Sequence, residues 1–172
     1  MPYHSFEESQ RFGQIWLWIV IIGVSILMIV QVPLDIIRQS GSEPMSSTNI
    51  VILIFSLVFV VGINILFFIS RLKTKINNDG IEITFPPFFS KPKSFPWDEI
   101  KEAYVRKYKP IWEYGGWGIR IRWNSRAYNT SGNMGLQLIM QDGKKILIGT
   151  HKPDELDAFL KKYIFAENQE NY

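Results

Sequence analysis

The sequence predicts a helical hairpin that spans a membrane, followed by a mostly β-stranded domain. Two uncharged apolar runs predict the hairpin, because each exceeds the roughly 18 apolar residues that a transmembrane helix requires. After Ser70, short stretches of alternating apolar and polar residues, separated by turn sequences, predict strands. We therefore divide the chain into a leader at 1–11, spans at 12–34 and 45–70, a β domain at 71–166 and a tail at 167–172.

The first apolar run is expected to be an uncleaved transmembrane helix rather than a secretory signal. As a helix it would be roughly 35 Å long, enough to cross a hydrocarbon core of about 30 Å. Trp16 and Trp18 lie near its start, where indole rings favour the headgroup level. A signal peptide would have a shorter apolar stretch and a small-x-small cleavage site after it, whereas this run is long, lacks such a site and has Glu7 and Glu8 in its leader.

Near its start the second apolar run contains polar residues that favour the beginning of a helix, Ser46 to Asn49. Asn64 is its one strongly polar residue deep in the run, and we expect it to hydrogen-bond the first helix near Gln31. Neither run contains Asp, Glu, Lys, Arg or His, the groups that ion and substrate pathways in membranes use. The hairpin is therefore predicted to be an anchor, and a transporter is not expected.

Basic residues predict the orientation of the hairpin. Arg71, Lys73 and Lys75 follow the second run directly, whereas the connecting loop at 35–44 has Arg38 as its one basic residue. Because basic segments are retained on the cytoplasmic side, we expect an integral multi-pass protein of the cell membrane with both termini in the cytoplasm. The sequence contains no cysteine, which agrees with a reducing compartment.

Alternation and turn sequences predict seven short antiparallel strands in the β domain. Asn77–Gly80 and Asp142–Gly143 are the strongest turn signals. On the fourth strand, Ile119, Ile121 and Trp123 are expected on one face, opposite Arg120 and Arg122. The predicted strands are 72–76, 81–85, 99–108, 119–123, 127–130, 136–141 and 144–148, with a loop rich in Phe and Lys at 85–97.

A carboxyl-terminal helix is predicted to begin at Pro153, because proline is favoured at the first helical position. Its apolar residues recur at helical spacing in one stripe: Leu156, Phe159, Leu160, Tyr163 and Ile164. Seven short strands followed by such a helix form the layout of a pleckstrin-homology-like bent barrel. We expect the helix to close one end, with Phe159 and Tyr163 buried against Ile121, Leu138 or Ile148.

Four sequence blocks resemble a prokaryotic family of small membrane proteins with two spans and a bacterial pleckstrin-homology-like domain. The blocks are Tyr114–Arg120 (YGGWGIR), Ser131–Leu138 (SGNMGLQL), Asp142–Thr150 (DGKKILIGT) and Pro153–Leu156 (PDEL). The resemblance implies the capped seven-stranded barrel and a bacterial inner membrane. The family has no assigned activity, so the resemblance implies fold and location alone.

Candidate contact residues come from the basic and aromatic segments of the β domain, which carries 17 Lys plus Arg against 12 Asp plus Glu in residues 71–172. The basic residues are expected either to lie against anionic lipid or to form an ordinary solvated surface. The aromatic loop either dips into the headgroups or packs on the domain. The candidates are Phe88, Phe89, Lys91, Lys93, Arg106, Lys107, Lys109, Trp112, Arg120 and Arg122.

Catalytic and ligand-binding motifs are missing from the sequence. Gly115, Gly116 and Gly118 match neither phosphate-loop spacing, so they are interpreted as bulge or corner residues. His4 and His151 are far apart, and no metal-ligand spacing, cofactor motif or small-molecule site is apparent. We expect a non-enzymatic interaction module that presents its domain to a protein partner or to a second copy. The alternative is a sensor of anionic lipid, and nucleic acid is not expected as a partner of a membrane-tethered domain.

Overall fold

The computed structural model describes residues 5–41 and 44–170. The chain forms two compact units: the helical hairpin at 14–69, and a β-rich unit that combines the segment ending at Gly13 with the chain from Ser70 onward. The predicted order of an apolar hairpin followed by a β-rich region is confirmed. The predicted closed barrel is not observed, because the strands in the described ranges form two separate open sheets.

The hairpin consists of helix α1 at Ile15–Ser40 and helix α2 at Ser47–Ile69. Both helices are long and apolar enough to cross a membrane. Helix α1 continues past Pro33 and includes Asp35 and Arg38, which were predicted to lie in the connecting loop. These two side chains form an exposed ion pair of 3.8 Å at i,i+3 spacing, which suits a helical turn.

Asn64 joins the two helices as expected, but through a different partner. Its Nδ2 donates to Ser25 Oγ at 2.9 Å and to the Val60 carbonyl at 2.8 Å. Gln31 is exposed instead. Because the helices are antiparallel neighbours, a residue near the end of α2 faces the first half of α1, and Gln31 lies too far along α1.

Residues 6–11 of the predicted leader form a strand of the β-rich unit. Strand β1, Phe6–Arg11, pairs antiparallel with β2, Arg71–Asn77, so that Phe6 lies opposite Ile76 and Arg11 opposite Arg71. Its even-numbered side chains are buried and its odd-numbered ones exposed, the period of a half-buried strand. His4 lies outside the described residues.

The first sheet has the order β1-β2-β3-β4, with β3 at Gly80–Phe85 and β4 at Phe89–Pro96. The predicted turn joins β2 to β3, and Asn77 Oδ1 accepts the backbone N–H groups of Asp79 and Gly80 at 3.1 Å. Most of the predicted aromatic loop is strand β4, a correction to the sequence interpretation. Its prolines are compatible with a strand because β4 is an edge strand, where a missing N–H donor costs no ladder bond.

The second sheet has the order β5-β8-β9-β7-β6. Strands β7 and β9 run parallel, with Tyr128 opposite Ile148, so the prediction of purely antiparallel strands is wrong. A short helix, α3 at Pro110–Tyr114, precedes β6. The strands are β5 at Ile100–Lys107, β6 at Gly118–Arg122, β7 at Ser125–Asn129, β8 at Met134–Met140 and β9 at Lys145–Gly149.

Helix α4, Pro153–Glu170, follows the second sheet and includes residues 167–170 of the predicted tail. It packs against β5. Leu156 and Leu160 are fully buried, whereas Phe159 is half-buried with its ring 6.1 Å from that of Phe6. The side chains of Tyr163 and Ile164 lie outside the described part of the structure.

Ile121 does not meet the helix stripe, because its side chain is 72% exposed. The expected burial of the helix stripe against Ile121 is therefore wrong. Trp123 is fully exposed in the turn after β6. The buried core is formed instead by residues of the central strands, such as Leu72, Ile83, Leu138 and Leu147.

Candidate functional site

Exposed apolar side chains of the β-rich unit mark the candidate contact surfaces. Soluble domains bury most large apolar side chains, so a cluster of exposed ones indicates a binding surface. Helix α3 exposes 85% of Trp112 and 61% of Ile111, and strand β6 and its turn expose Ile121 and Trp123. Phe88, between β3 and β4, is a further exposed position, at 53%.

Helix α3 is held between two strands by Glu113. Arg106 of β5 donates to its carboxylate at 2.7 Å, and Arg122 of β6 donates to its backbone carbonyl. Burial, the largest single effect, lowers the pKa of Arg106, but the hydrogen bond and charge of Glu113 outweigh it and raise that pKa overall. The Arg106 hydrogen bond in turn lowers the pKa of Glu113. Arg106 and Arg122 therefore position α3.

The glycines between α3 and β6 have a structural role. Gly115 ends α3 in the left-handed conformation, at φ +74°. Gly116 and Gly118 also have positive φ, at +118° and +105°, and the Gly118 N–H donates to Asn129 Oδ1 at 2.8 Å. This arrangement turns the chain sharply into an edge strand, in line with the corner interpretation from sequence.

The predicted basic candidates do not form one continuous face. Lys91 and Lys93 are in β4 of the first sheet, whereas Arg106 and Lys107 are in β5 and Arg120 and Arg122 in β6, at opposite edges of the second sheet. The structure brings together Arg106 and Arg122, through Glu113. Lys109, just before α3, stays exposed near Trp112.

The ammonium group of Lys93 binds other side chains of the domain, which makes Lys93 a poor lipid contact. Its Nζ lies 4.2 Å above the Phe89 ring and donates to the Tyr128 hydroxyl at 3.3 Å. Phe89 itself packs edge-on against Tyr128 with ring centroids 5.8 Å apart. Phe89 and Lys93 therefore link the two sheets, which favours the packing alternative for this part of the aromatic segment.

Phe88 differs from Phe89 because it belongs to the end of the first sheet where the chain continues into the hairpin. Its ring stands edge-on to Phe85 at 5.5 Å, and Phe85 contacts Phe12 at 6.3 Å. Helix α1 begins three residues after Phe12. At the same end, the Arg71 N–H that opens β2 donates to the Pro86 carbonyl at 3.2 Å.

A cleft of about 500 Å³ lies beside Ile121 and Trp123. Its apolar floor includes Phe95, Met140 and Ile146. Phe95 is six residues along β4 from Phe89, about 20 Å at the rise of a strand. The cleft is thus at the end of the first sheet away from the chain's connections to the hairpin.

Cations outnumber anions around the cleft. Arg122, Arg126, Lys144 and Lys145 line it, together with Glu99 and Asp142. Lys144 lies 2.5 Å from Asp142, and its hydrogen bonds lower the pKa of that carboxyl. Asp142 is therefore already neutralised by Lys144, and the remaining cleft is electropositive.

One polar cluster near the carboxyl end of β9 has the residue types of a hydrolase but not their arrangement. Ser131 Oγ lies 2.5 Å from His151 Nε2. Glu8 accepts the backbone N–H of His151 at 2.7 Å and not its imidazole, so among the described side chains no acid orients the ring. In the described ranges, no group of three or more His, Cys, Asp or Glu residues is arranged to hold a metal ion.

The sequence interpretation missed Ile121 and Trp123 as candidate contacts. Strand alternation assigns them to one face, but it cannot show which face a neighbouring element covers. Trp123 and Asn124 form the hairpin turn between Arg122 and Ser125. An Asn next to Trp123 is a turn signal in the sequence, and it could have indicated that Trp123 is exposed. Tyr108 and Tyr114, in the same aromatic stretch as Trp112, are buried.

The chain matches no known protein family and no curated protein.

Proposed function

We propose that the protein is a membrane-anchored, non-enzymatic interaction module whose β-rich domain binds a protein partner. The observation that carries this proposal is the electropositive cleft bordered by Ile121 and Trp123, which are 72% and fully exposed. Exposed aromatic and apolar side chains around a pocket are typical of interaction hot spots.

The domain is proposed to be a variant of the pleckstrin-homology-like fold. Two sheets followed by a carboxyl-terminal helix support this assignment. The parallel β7–β9 pair and the added amino-terminal strand β1 depart from the expected seven antiparallel strands.

Both chain segments that flank the hairpin are proposed to be cytoplasmic. Strand β1 precedes α1 and pairs with β2, which follows α2, so both belong to one folded unit and must share one side of a bilayer. The basic residues Arg71, Lys73 and Lys75 favour the cytoplasmic side. A reporter fused after Tyr172 should read cytoplasmic and one inserted at Gly41 external. Reversal of both signals would overturn this orientation.

Photocrosslinking tests the interaction module. Trp123 is replaced by benzoylphenylalanine, which retains an aromatic side chain, and intact membranes are irradiated. We expect specific adducts at this position and none when the probe replaces exposed Lys101 of β5. An adduct of twice the chain mass would identify a second copy as the partner. Equal, diffuse labelling at both positions would refute the proposal.

Contact with anionic lipid is the second candidate function, and Phe88 is the observation that favours it. Phe88 is exposed at the end of the first sheet where the chain enters the hairpin, and Lys91 is exposed nearby in sequence. Because the chain lacks cysteine, a single Phe88→Cys variant can carry an environment-sensitive dye. In nanodiscs, lipid-attached quenchers should reach the dye at this position and not at a matched Ser94→Cys position.

A further inference from the structure

Two arginines lie directly opposite each other on the outer face of the first sheet. Arg11 is the last residue of β1 and Arg71 is the first residue of β2, and the strand register pairs them. Lys73, two residues along β2, adds a third cation to the same face, between the uncharged Ser9 and Thr84. Cβ atoms directly opposite on one face are about 4.5–5.5 Å apart, and like charges in that arrangement repel. Arg11, Arg71 and Lys73 form the cationic end of this face.

No acidic side chain in the described part of the chain forms an ion pair with the cationic end. The acids of the same face lie at its other end, where Lys75 has Glu7 opposite it on β1 and Glu82 opposite it on β3. Glu7 forms an ion pair with Lys75 at 3.1 Å. Glu7 is four residues from Arg11, about 13 Å along a strand, which exceeds the screening length of about 8–10 Å. These acids therefore do not neutralise the two arginines.

The chain itself holds the cationic end close to the bilayer. Arg71 follows the last residue of α2, Ile69, by two residues, a distance of at most about 7 Å. When α2 crosses the hydrocarbon core, this distance is within the headgroup layer, which is about 5–8 Å thick on each side. Arg11 is four residues before the start of α1, and its pairing with Arg71 keeps it within about 5.5 Å of that residue. Lipid phosphates are therefore the anions nearest to the pair.

We propose that Arg11 and Arg71 bind the phosphate group of one anionic phospholipid between them, and that Lys73 adds attraction. A guanidinium group presents N–H donors in a planar fork that matches two phosphate oxygens. A phosphate between the two guanidinium groups replaces their repulsion by two attractive contacts. Choline and ethanolamine headgroups carry a cation that the three positive charges repel, so the site selects a headgroup without one. This inference rests on the proposed membrane anchor and specifies the lipid that the domain meets there.

Native mass spectrometry of the full chain, released from neutral detergent, tests the proposal because it resolves each bound lipid by its mass. The probes are phosphatidylglycerol and phosphatidylcholine with identical acyl chains. Each cation near the surface favours an anionic lipid about fivefold, so the first phosphatidylglycerol should bind at least about tenfold more tightly than the first phosphatidylcholine. This preference should shrink as ammonium acetate rises. Equal affinity for the two lipids would overturn the proposal.

Inorganic phosphate is the third probe, and it separates a lipid from a soluble anion. It lacks the acyl chains that keep a lipid beside the site, so it should not be bound at concentrations that saturate phosphatidylglycerol binding. Inorganic phosphate that binds as tightly as phosphatidylglycerol would assign the arginine pair to a soluble anion and would overturn the lipid site.

Protein variants locate the site. Arg11→Gln and Arg71→Gln should each weaken phosphatidylglycerol binding about fivefold. Lys75→Gln is the matched control, since it removes a cation of the same face that already pairs with Glu7, and binding should change less than about twofold. Arg71→Lys retains the charge but loses the planar fork, so it should weaken binding less than Arg71→Gln does. Wild-type affinity in Arg71→Lys would indicate diffuse attraction and overturn the phosphate site, as would equal losses in Lys75→Gln and the arginine variants.

Urea unfolding in neutral detergent separates a binding role of the arginines from a structural one. Removal of one arginine relieves like-charge repulsion, so neither glutamine variant should lose stability when anionic lipid is absent. Added phosphatidylglycerol should stabilise the wild-type chain more than either variant, because a ligand stabilises the folded state that binds it. Loss of stability in both variants, with an unchanged effect of the lipid, would assign the arginines to the fold and overturn the proposal.

Extraction of membranes with alkaline carbonate separates this inference from the anchor on which it rests. A chain that stays in the membrane pellet and shows no preference for phosphatidylglycerol would keep the anchor and lose the lipid site. Release of the chain into the supernatant would overturn the anchor, and the headgroup contact with it. Photocrosslinking at Trp123 reports on the protein partner independently of both results.

Discussion

Replacement of Glu8 tests whether the amino-terminal strand is an integral part of the β-rich unit. Glu8 is 8% exposed. Its Oε2 accepts the Thr150 hydroxyl and its Oε1 accepts the His151 N–H, both at 2.7 Å. These two hydrogen bonds tie β1 to the segment between β9 and α4. Glu7, next to it, is exposed and pairs with Lys75 at 3.1 Å.

The expected cost of Glu8→Ala is about 2–5 kcal/mol of unfolding free energy. The substitution leaves the buried Thr150 hydroxyl and the part-buried His151 N–H without their acceptor. Each loss costs about 1–3 kcal/mol, and the part-buried donor lies toward the lower bound. Glu7→Ala removes the same atoms from the same strand but loses only an exposed ion pair, about 0–1 kcal/mol. Glu8→Gln should fall between, at about 1 kcal/mol, because its amide oxygen can accept from His151 while the Thr150 hydroxyl rotates to accept from its NH₂.

Urea unfolding of the full chain in detergent micelles measures these differences. In a background in which the other five tryptophans are replaced by Phe, Trp97 fluorescence reports on the first sheet, because its indole donates to the Asn77 carbonyl at 2.9 Å. The order of stability should be Glu7→Ala above Glu8→Gln above Glu8→Ala. Values for Glu8→Ala and Glu7→Ala within 0.5 kcal/mol of each other, the usual effect of a surface substitution, would refute the tethering of β1 by Glu8.

Three further predictions concern the same unit. Gly80→Ala should cost about 3 kcal/mol or more, since a Cβ there would lie 2.4 Å from the Phe95 carbonyl oxygen at a φ of +149°. Thr74→Val should stabilise the fold by about 1 kcal/mol in urea unfolding, because the buried Thr74 hydroxyl has no hydrogen-bond partner among the described residues. Burial raises the pKa of Tyr108 to about 12, so ultraviolet titration should show one late phenolate that is absent in Tyr108→Phe.

The tyrosine prediction has a definite sign. Because the folded-state pKa of Tyr108 lies above the unfolded value of about 10, its contribution to stability is complete below pH 10 and is lost as pH rises toward 12. Gly13→Ala is the control for the glycine prediction, since the nearest atom to its Cβ would be 3.9 Å away. If Gly13→Ala costs as much unfolding free energy as Gly80→Ala, the glycine prediction is wrong. Destabilisation by Thr74→Val would contradict the threonine prediction, and a Tyr108 phenolate that forms near pH 10 would contradict the tyrosine prediction.

The sequence by itself determined the elements that depend on near neighbours along the chain. The two apolar runs form the helices α1 and α2. They could be predicted because the length and composition of a segment are enough to identify a helix that can cross a bilayer. The turn at Asn77–Gly80 follows from side-chain to backbone hydrogen bonds within four residues. The start of α4 at Pro153 follows from the preference of proline for the first helical turn.

Tertiary structure alone decided the elements that depend on distant partners. Strand β1 is separated from β2 by the whole hairpin. The sequence of β4 predicts a loop, and only its pairing with β3 shows that it is a strand. The parallel β7–β9 pair has no local signature. The candidate cleft depends on the same kind of information. Alternation assigns Ile121 to a face of β6, but its exposure shows that no neighbour in the described part of the chain covers it. Pairing and covering are relations between remote segments, and a local pattern specifies the two sides of a strand without specifying which side is buried.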